Sequence, residues 1–245
     1  SVSKGNNDLC EYLEIIKPHC MVVLGDRFEL FSVMTTCTIL SIPIAHISGG
    51  EITEGAIDNQ IRNAITKLAH FHFVANNVFK RRVLQMGEEK WRVKTVGETG
   101  LDNIKNLKLL DLKKLSKSIG VTLESNVVIV TFHPVTLEEN NLDTMISSLL
   151  KALKKFNFQI IFTYPNTDSG HRIIITKIDR FVRKNSKKAF FIKSLGQLNF
   201  LSLLKLSKLI IGNSSSGIVE APSFNLPCIN IGNRQKGRII SNNVI

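Results

Sequence analysis

The segment His46-Ile47-Ser48-Gly49-Gly50-Glu51, followed by Glu54 and Asp58, places a histidine and three carboxylates within thirteen residues around a Gly-Gly turn. Carboxylates poised at different protonation states can take a proton from carbon and return one. The plain reading of these acids is a helix start, where Glu51, Thr53 and Glu54 are ordinary. That leaves His46, inside an apolar strand, as either a satisfied core histidine or a substrate contact. A second cluster is Gly25-Asp26-Arg27-Phe28-Glu29. Gly25 permits a tight turn. Asp26 reads as a helix cap or an acid, and Arg27 as a fork for phosphate.

The sharpest anion signal is Gly212-Asn213-Ser214-Ser215-Ser216-Gly217, running into Ile218-Val219-Glu220-Ala221-Pro222. A small-residue loop opening a helix offers backbone N–H groups and hydroxyls to a phosphate. The apolar spacing predicts that helix over Ile218–Ser223. Glu220, one turn inside, suits two sugar hydroxyls such as those of a ribose. The loop matches neither the phosphate-binding loop of ATPases nor the dinucleotide fingerprint, so neither ATP hydrolysis nor nicotinamide chemistry is suggested. Two more polar clusters close strands: Thr131-Phe132-His133-Pro134-Val135-Thr136 and Tyr164-Pro165-Asn166-Thr167-Asp168-Ser169-Gly170-His171-Arg172. Cys10, Cys20, Cys37 and Cys228 form no C-x-x-C pair and no ligand spacing with histidine, so no metal site and no disulfide framework is expected.

The elements that must position these clusters alternate along the chain. Short apolar strands are expected at His19–Leu24, Ile42–Ile47, Phe71–Ala75 and Arg92–Val96, separated by helices at Phe28–Leu40, Ala56–Ala69 and Val78–Met86. After a break at Gly97–Lys108 the alternation restarts. Strands fall at Val127–Phe132, Gln159–Thr163, Ala189–Ile192, Leu209–Ile211 and Cys228–Ile231, and helices at Leu142–Phe156, Ile173–Arg183 and Leu198–Leu206. Near-continuous apolar strands between helices are the pattern of a parallel, doubly wound α/β sheet. Two such halves, residues 1–103 and 104–245, predict a ligand cleft between domains, at the carboxyl ends of the strands.

Composition narrows the partners. The 245 residues are 43% hydrophobic and 21% charged, ordinary for a folded chain, and no apolar run is long enough to span a membrane. A net charge of +12 favours anionic partners. The lysines at helix spacing (Lys113, Lys114, Lys117; Lys151, Lys154, Lys155) read first as solvated helix faces. No basic run is interleaved with aromatics in the manner of single-strand binders, so nucleic acid is not expected. No signal peptide is visible, and a reducing cytoplasm is the expected setting.

Taken together, GDRFE (Gly25–Glu29), HISGGEITEGAIDNQIRNAITKLAH (His46–His70), HPVT (His133–Thr136), YPNTDSGH (Tyr164–His171) and NSSSGIVEAP…GNRQKGR (Asn213–Arg238) resemble the UDP-N-acetylglucosamine 2-epimerases. They are most similar to the hydrolysing branch, which forms N-acetylmannosamine for sialic-acid-type sugars. The resemblance runs from about His19 to the end of the chain. It implies two Rossmann-like domains in the GT-B arrangement and no metal or nicotinamide cofactor.

By motif, Asp26 and Asp58 match catalytic carboxylates. Arg27, His133, Asn166, Ser214, Ser215, Glu220 and Arg234 match nucleotide-binding positions. His46, Asn213 and Gly217 complete the expected binding set. Related epimerases carry Glu two residues after the strand histidine, where this chain has Ser48; Glu51 is the nearest substitute and is taken as the third catalytic acid. The family also has an earlier strand and a later helix, so the chain is read as a truncated piece that is expected to turn over substrate poorly or not at all.

The implied reaction is loss of UDP from C1 with removal of the C2 proton, giving a 2-acetamidoglucal, then addition of water with the opposite C2 configuration. The implied partners are UDP-GlcNAc and a second copy of the chain, as a homodimer or higher homo-oligomer. The rival readings are a hydrolysing epimerase of GDP-N,N'-diacetylbacillosamine and a GT-B glycosyltransferase, for which the fold and the phosphate loop look alike.

Overall fold

The computed structural model describes residues 2–53, 57–135 and 141–245. Glu54 of the carboxylate cluster, Ala56 at the expected helix start and Thr136 of the His-Pro-Val-Thr segment lie outside the described residues. The chain divides into two compact units, residues 2–53 with 57–99, and residues 100–135 with 141–245. The division falls between Thr99 and Gly100, inside the Gly97–Lys108 break.

The first unit runs α1 (Val2–Ile16), β1 (Met21–Leu24), α2 (Leu30–Ile39), β2 (Ile44–Ile47), α3 (Asp58–Leu68), β3 (Phe71–Val74), α4 (Asn77–Gln85) and β4 (Val93–Thr95). All strand pairs are parallel, in the order β1-β2-β3-β4. Among the described strands of this unit the order never reverses. Right-handed crossovers that always step the same way put their helices on one face. Val23 and Ile44 point to that face and pack with Met34, Ile61 and Ile65. On the other face Val22 and Leu24 are 61% and 59% exposed. Strand order depends on which edge each strand joins, and alternation along a sequence does not encode that.

The second unit runs α5 (Asp102–Asn106), α6 (Leu112–Ile119), β5 (Val127–Thr131), α7 (Leu142–Leu153), β6 (Gln159–Thr163), α8 (His171–Lys184), β7 (Ala189–Ile192), α9 (Gly196–Leu206), β8 (Leu209–Gly212) and β9 (Cys228–Asn230). Its strands are parallel in the order β7-β6-β5-β8-β9. The order reverses between β5 and β8, and this unit is doubly wound. The strand residues of β5 are all buried, between a cluster with Ile146, Leu150 and Ile174 on one face and a cluster with Leu115, Leu201 and Leu204 on the other. That double burial is why β5 reads as an unbroken apolar run.

The helix expected over Ile218–Ser223 is absent. Two 3-10 turns, Ser215–Gly217 and Ala221–Phe224, stand in its place. Pro222 lies four residues after Ile218, where its ring would clash with the Ile218 carbonyl of an α-helix and its missing N–H would break the ladder.

Candidate functional site

In the first unit the turn after β1 and the loop after β2 lie at the same end of the sheet. Gly25 has φ +79° with open space around it, and its N–H donates to the Ile47 carbonyl at 3.0 Å. Asp26 follows and forms an ion pair with Arg62 of α3. Arg62 is 1% exposed. Its Nη1 donates to the Glu51 carbonyl at 2.9 Å and its Nη2 to the Thr53 hydroxyl at 3.1 Å. The structure therefore joins Asp26 to the Glu51 loop through one buried guanidinium. Asp58 opens α3, one helical turn before Arg62 and half-buried.

His46 is fully buried. Its Nε2 lies 2.9 Å from the Gly25 carbonyl and its Nδ1 3.2 Å from the Thr66 hydroxyl. A carbonyl only accepts, so Nε2 carries the proton and Nδ1 accepts from Thr66. Burial holds the ring neutral, with its pKa pushed down to about 4. Both nitrogens are committed within the protein. His46 is the satisfied core histidine of the two readings: it ties the β1 turn to α3 and offers no ring nitrogen to a substrate. A Cβ on Gly49 would sit 3.1 Å from the His46 ring, which explains the small residue there.

Arg27 is directed at Glu29, with Nη2 3.1 Å and Nε 3.3 Å from its two carboxylate oxygens. Both side chains are about half exposed. The Arg27 pair holds the Glu29 carboxyl below its ordinary range.

In the second unit the predicted residues gather at the reversal point between β5 and β8, the crevice where doubly wound sheets bind ligands. Gly212 ends β8 at φ +142°, and a Cβ there would lie 1.8 Å from the Thr131 carbonyl oxygen. Only glycine permits that approach. Asn213, fully buried, then crosses to β5. Its Oδ1 accepts from the His133 N–H at 2.7 Å, and its Nδ2 donates to the His133 carbonyl at 2.9 Å. The His133 Nδ1 accepts from the Asn166 N–H at 3.0 Å, which draws the loop after β6 to the same place. Burial, aided by Arg234, pushes the His133 pKa down to about 3. The ring is neutral, and with Nδ1 accepting, its proton sits on Nε2.

The loop itself is built as a turn. The Ser214 hydroxyl accepts from the Ser216 N–H at 3.3 Å, capping the three-residue turn Ser215–Gly217. A full helix dipole is not available to this loop, since a turn of that length aligns too few peptides. Gly217 is buried; a Cβ there would sit 2.4 Å from the Cys228 sulfur. Its place in the expected binding set is thus explained by packing. Glu220 is half-buried, and burial raises its pKa against a hydrogen bond from Ser216 and the field of Arg238. Its Oε2 is buried and lacks a hydrogen-bond partner among the described residues. Arg234 donates through Nη1 to the Asn213 carbonyl at 3.2 Å. Acidic and basic side chains balance over residues 1–99, so the whole +12 surplus lies in residues 100–245. A pocket of about 290 Å³ opens beside the ends of β6 and β7, walled by Tyr164, Ile192, Lys193 and Phe200.

Sequence reasoning missed Arg62, Thr66 and Gln235. Gln235 is 1% exposed and donates to the Asn213 carbonyl at 2.7 Å. Arg62 had a signal, its i,i+4 spacing from Asp58 on one helix face. The other two had none, because their partners lie far away along the chain. Among the described residues no cluster of His, Cys, Asp or Glu could hold a metal ion. No described helix is long and apolar enough to cross a membrane.

A profile of the UDP-N-acetylglucosamine 2-epimerases matches residues 1–245. The chain is 43% identical over its whole length to the GDP/UDP-N,N'-diacetylbacillosamine 2-epimerase (hydrolyzing) of Campylobacter jejuni. It is 36% identical, over 96% of its length, to the UDP-N,N'-diacetylbacillosamine 2-epimerase (hydrolyzing) of Legionella pneumophila. It spans 64% and 62% of the lengths of these two relatives. The crystal structure of UDP-GlcNAc 2-epimerase from Neisseria meningitidis, bound to UDP-GlcNAc, superposes with a TM-score of 0.79 at 21% identity, covering 94% of this chain and 63% of that one. That likeness shows a shared fold. With a profile match over every residue, the chain belongs to the UDP-N-acetylglucosamine 2-epimerase family.

Proposed function

We propose that the full protein is a hydrolysing nucleotide-sugar 2-epimerase acting on a 2-acetamido sugar. The observation that carries the reading is the joining of Asp26 to the Glu51 loop by one buried arginine, in a chain of this family. In the proposed division of labour, residues 1–103 supply the acids and residues 104–245 hold the nucleotide. Arg234, Ser214, Ser215 and the Nε2–H of His133 meet the diphosphate, where positive charge and N–H donors aid its departure. Asn166 and Arg27 complete the proposed nucleotide-binding set. Glu220 accepts from the ribose hydroxyls, consistent with an Oε2 that has no partner among the described residues. The aromatic-walled pocket beside β6 and β7 suits the flat face of the base.

The chemistry balances without a cofactor. One carboxylate removes the C2 proton while the C1–O bond to the diphosphate breaks, giving UDP and a 2-acetamidoglucal. Water then adds its oxygen to C1, and a second acid delivers a proton to the opposite face of C2. Asp58 and Glu51 are the proposed pair, with Asp26 beside them.

The motifs favour UDP-GlcNAc as substrate and N-acetylmannosamine as product, as in sialic-acid-type pathways. The names of the 43% and 36% identical relatives favour a second reading, the same reaction on a UDP- or GDP-linked diacetylbacillosamine. Incubating the full-length protein in D2O with each nucleotide sugar separates them. The expected result is free nucleoside diphosphate and a free sugar carrying deuterium at C2, from one substrate far faster than from the others. A sugar still joined to its nucleotide would mean a non-hydrolysing epimerase. No deuterium from any of them, or a requirement for a sugar acceptor, overturns the reading.

A further inference from the structure

Arg62 is among the largest fully buried side chains of the protein, and a buried guanidinium must have partners. Its partners come from two loops. Asp26, on the turn after β1, pairs with it. The Glu51 carbonyl and the Thr53 hydroxyl, both from the loop after β2, accept from its two terminal nitrogens. Arg62 itself stands on α3, one turn beyond Asp58. One planar group thus binds the Asp26 carboxylate and the backbone of the Glu51 loop, and it is carried on the helix that Asp58 opens.

We infer that Arg62 is the positioning residue of this site: it fixes Asp26, the Glu51 loop and Asp58 in one mutual arrangement without itself touching the substrate. The inference rests on the epimerase reading. Net stability does not account for such a residue, because a buried ion pair commonly contributes little or even costs stability once both charges are desolvated. Geometry does account for it. A guanidinium presents donors in a rigid fork and can span a carboxylate, a hydroxyl and a carbonyl at once; a lysine offers one nitrogen on a flexible stem. Proton transfer at carbon is sensitive to such placement, and a displacement of about 1 Å can cost roughly 10²-fold in rate.

The test uses the full-length protein with Arg62→Lys and, because a change at a buried charge can compromise folding, Thr53→Val, which removes one acceptor and leaves every charge in place. Arg62→Lys should lower kcat by about 10²-fold and Thr53→Val by about 10-fold. KM and the Kd for UDP should stay within about threefold in both, the pattern of misplaced acids rather than lost binding. Hydrogen exchange reads placement without activity: residues 25–27 and 48–53 should exchange faster in both variants, while β5 and β8 keep their protection. Wild-type exchange in those loops together with wild-type kcat overturns the inference. So does a kcat loss matched by an equal loss of UDP affinity. If the wild type turns over none of the nucleotide sugars, the epimerase reading falls. Exchange then decides alone: faster loops keep Arg62 as their organiser, and unchanged loops remove it.

Discussion

The backbone of His133 and the side-chain amide of Asn213 exchange two hydrogen bonds, at 2.7 and 2.9 Å, across the reversal point of the second sheet. The pair shapes the crevice from beneath, because the same Asn213 lends its carbonyl to Arg234 and Gln235. Asn213→Ala leaves two backbone groups of His133 without partners. Each unsatisfied buried group costs about 1–3 kcal/mol, so a loss of roughly 2–6 kcal/mol is expected. Urea unfolding with an unchanged slope and a lower midpoint would register it.

The buried histidines set a pH dependence. His46 and His133 titrate near 4 and 3 in the fold against an ordinary value of 6.5. Below pH 6.5 the unfolded chain binds protons that the fold refuses. Their stability contribution is full above that pH and falls as pH drops toward 4, by up to about 1.4 kcal/mol per pH unit for each ring. His46→Gln should flatten the slope of unfolding free energy between pH 4.5 and 6 by about that amount. An identical slope in the two proteins would contradict the neutral, committed ring.

Two glycines with positive φ should respond differently to alanine. Gly25 has nothing within 4 Å of an added Cβ, so only the left-handed backbone resists, at about 1–2 kcal/mol. Gly212 would drive that carbon into the Thr131 carbonyl, forcing β5 and β8 apart. Gly212→Ala should cost well over 4 kcal/mol, the range of severe backbone clashes, and abolish UDP binding. Thermal melts and calorimetry of the two variants compare them directly.

Asp58→Asn separates a structural acid from a chemical one. A first-turn acid contributes about 0.3–1 kcal/mol to its helix and nothing to turnover. A proton-transfer group contributes about 10²–10⁴-fold to kcat. We expect the large loss for Asp58→Asn and for Glu51→Gln, with UDP affinity retained. Glu29→Gln should be mild, since Glu29 is exposed and paired with Arg27. Near-normal turnover of Glu51→Gln would shift the second acid to Asp26.

Ser215→Ala combined with Glu220→Gln should weaken UDP binding. The Glu220 carboxylate has an oxygen without a partner among the described residues, and hydrogen bonds to a charged group contribute about 1.5–3 kcal/mol, so a loss of at least 10-fold is expected. Unchanged affinity by calorimetry would remove the loop from the nucleotide site.

Much of this was legible in the sequence because it is local. Short runs such as VVIVT and QIIFT must be buried on both faces, and that alone calls for a parallel sheet between helices. Polar clusters at strand ends fall where such sheets bind ligands, so the sequence alone singles out Asp26, His133 and Asn213 as candidates. Pro222, too, was in plain view, and its ring decides against the helix that the apolar spacing favoured. What tertiary structure alone decided depends on pairs distant in the chain. His46 kept two readings until Gly25 and Thr66 were seen to occupy both ring nitrogens. Arg62 became a candidate only when the fold brought Asp26, thirty-six residues earlier, against it in the interior. A residue's type limits which bonds it can make; burial and distance choose among them, and both are properties of the folded chain.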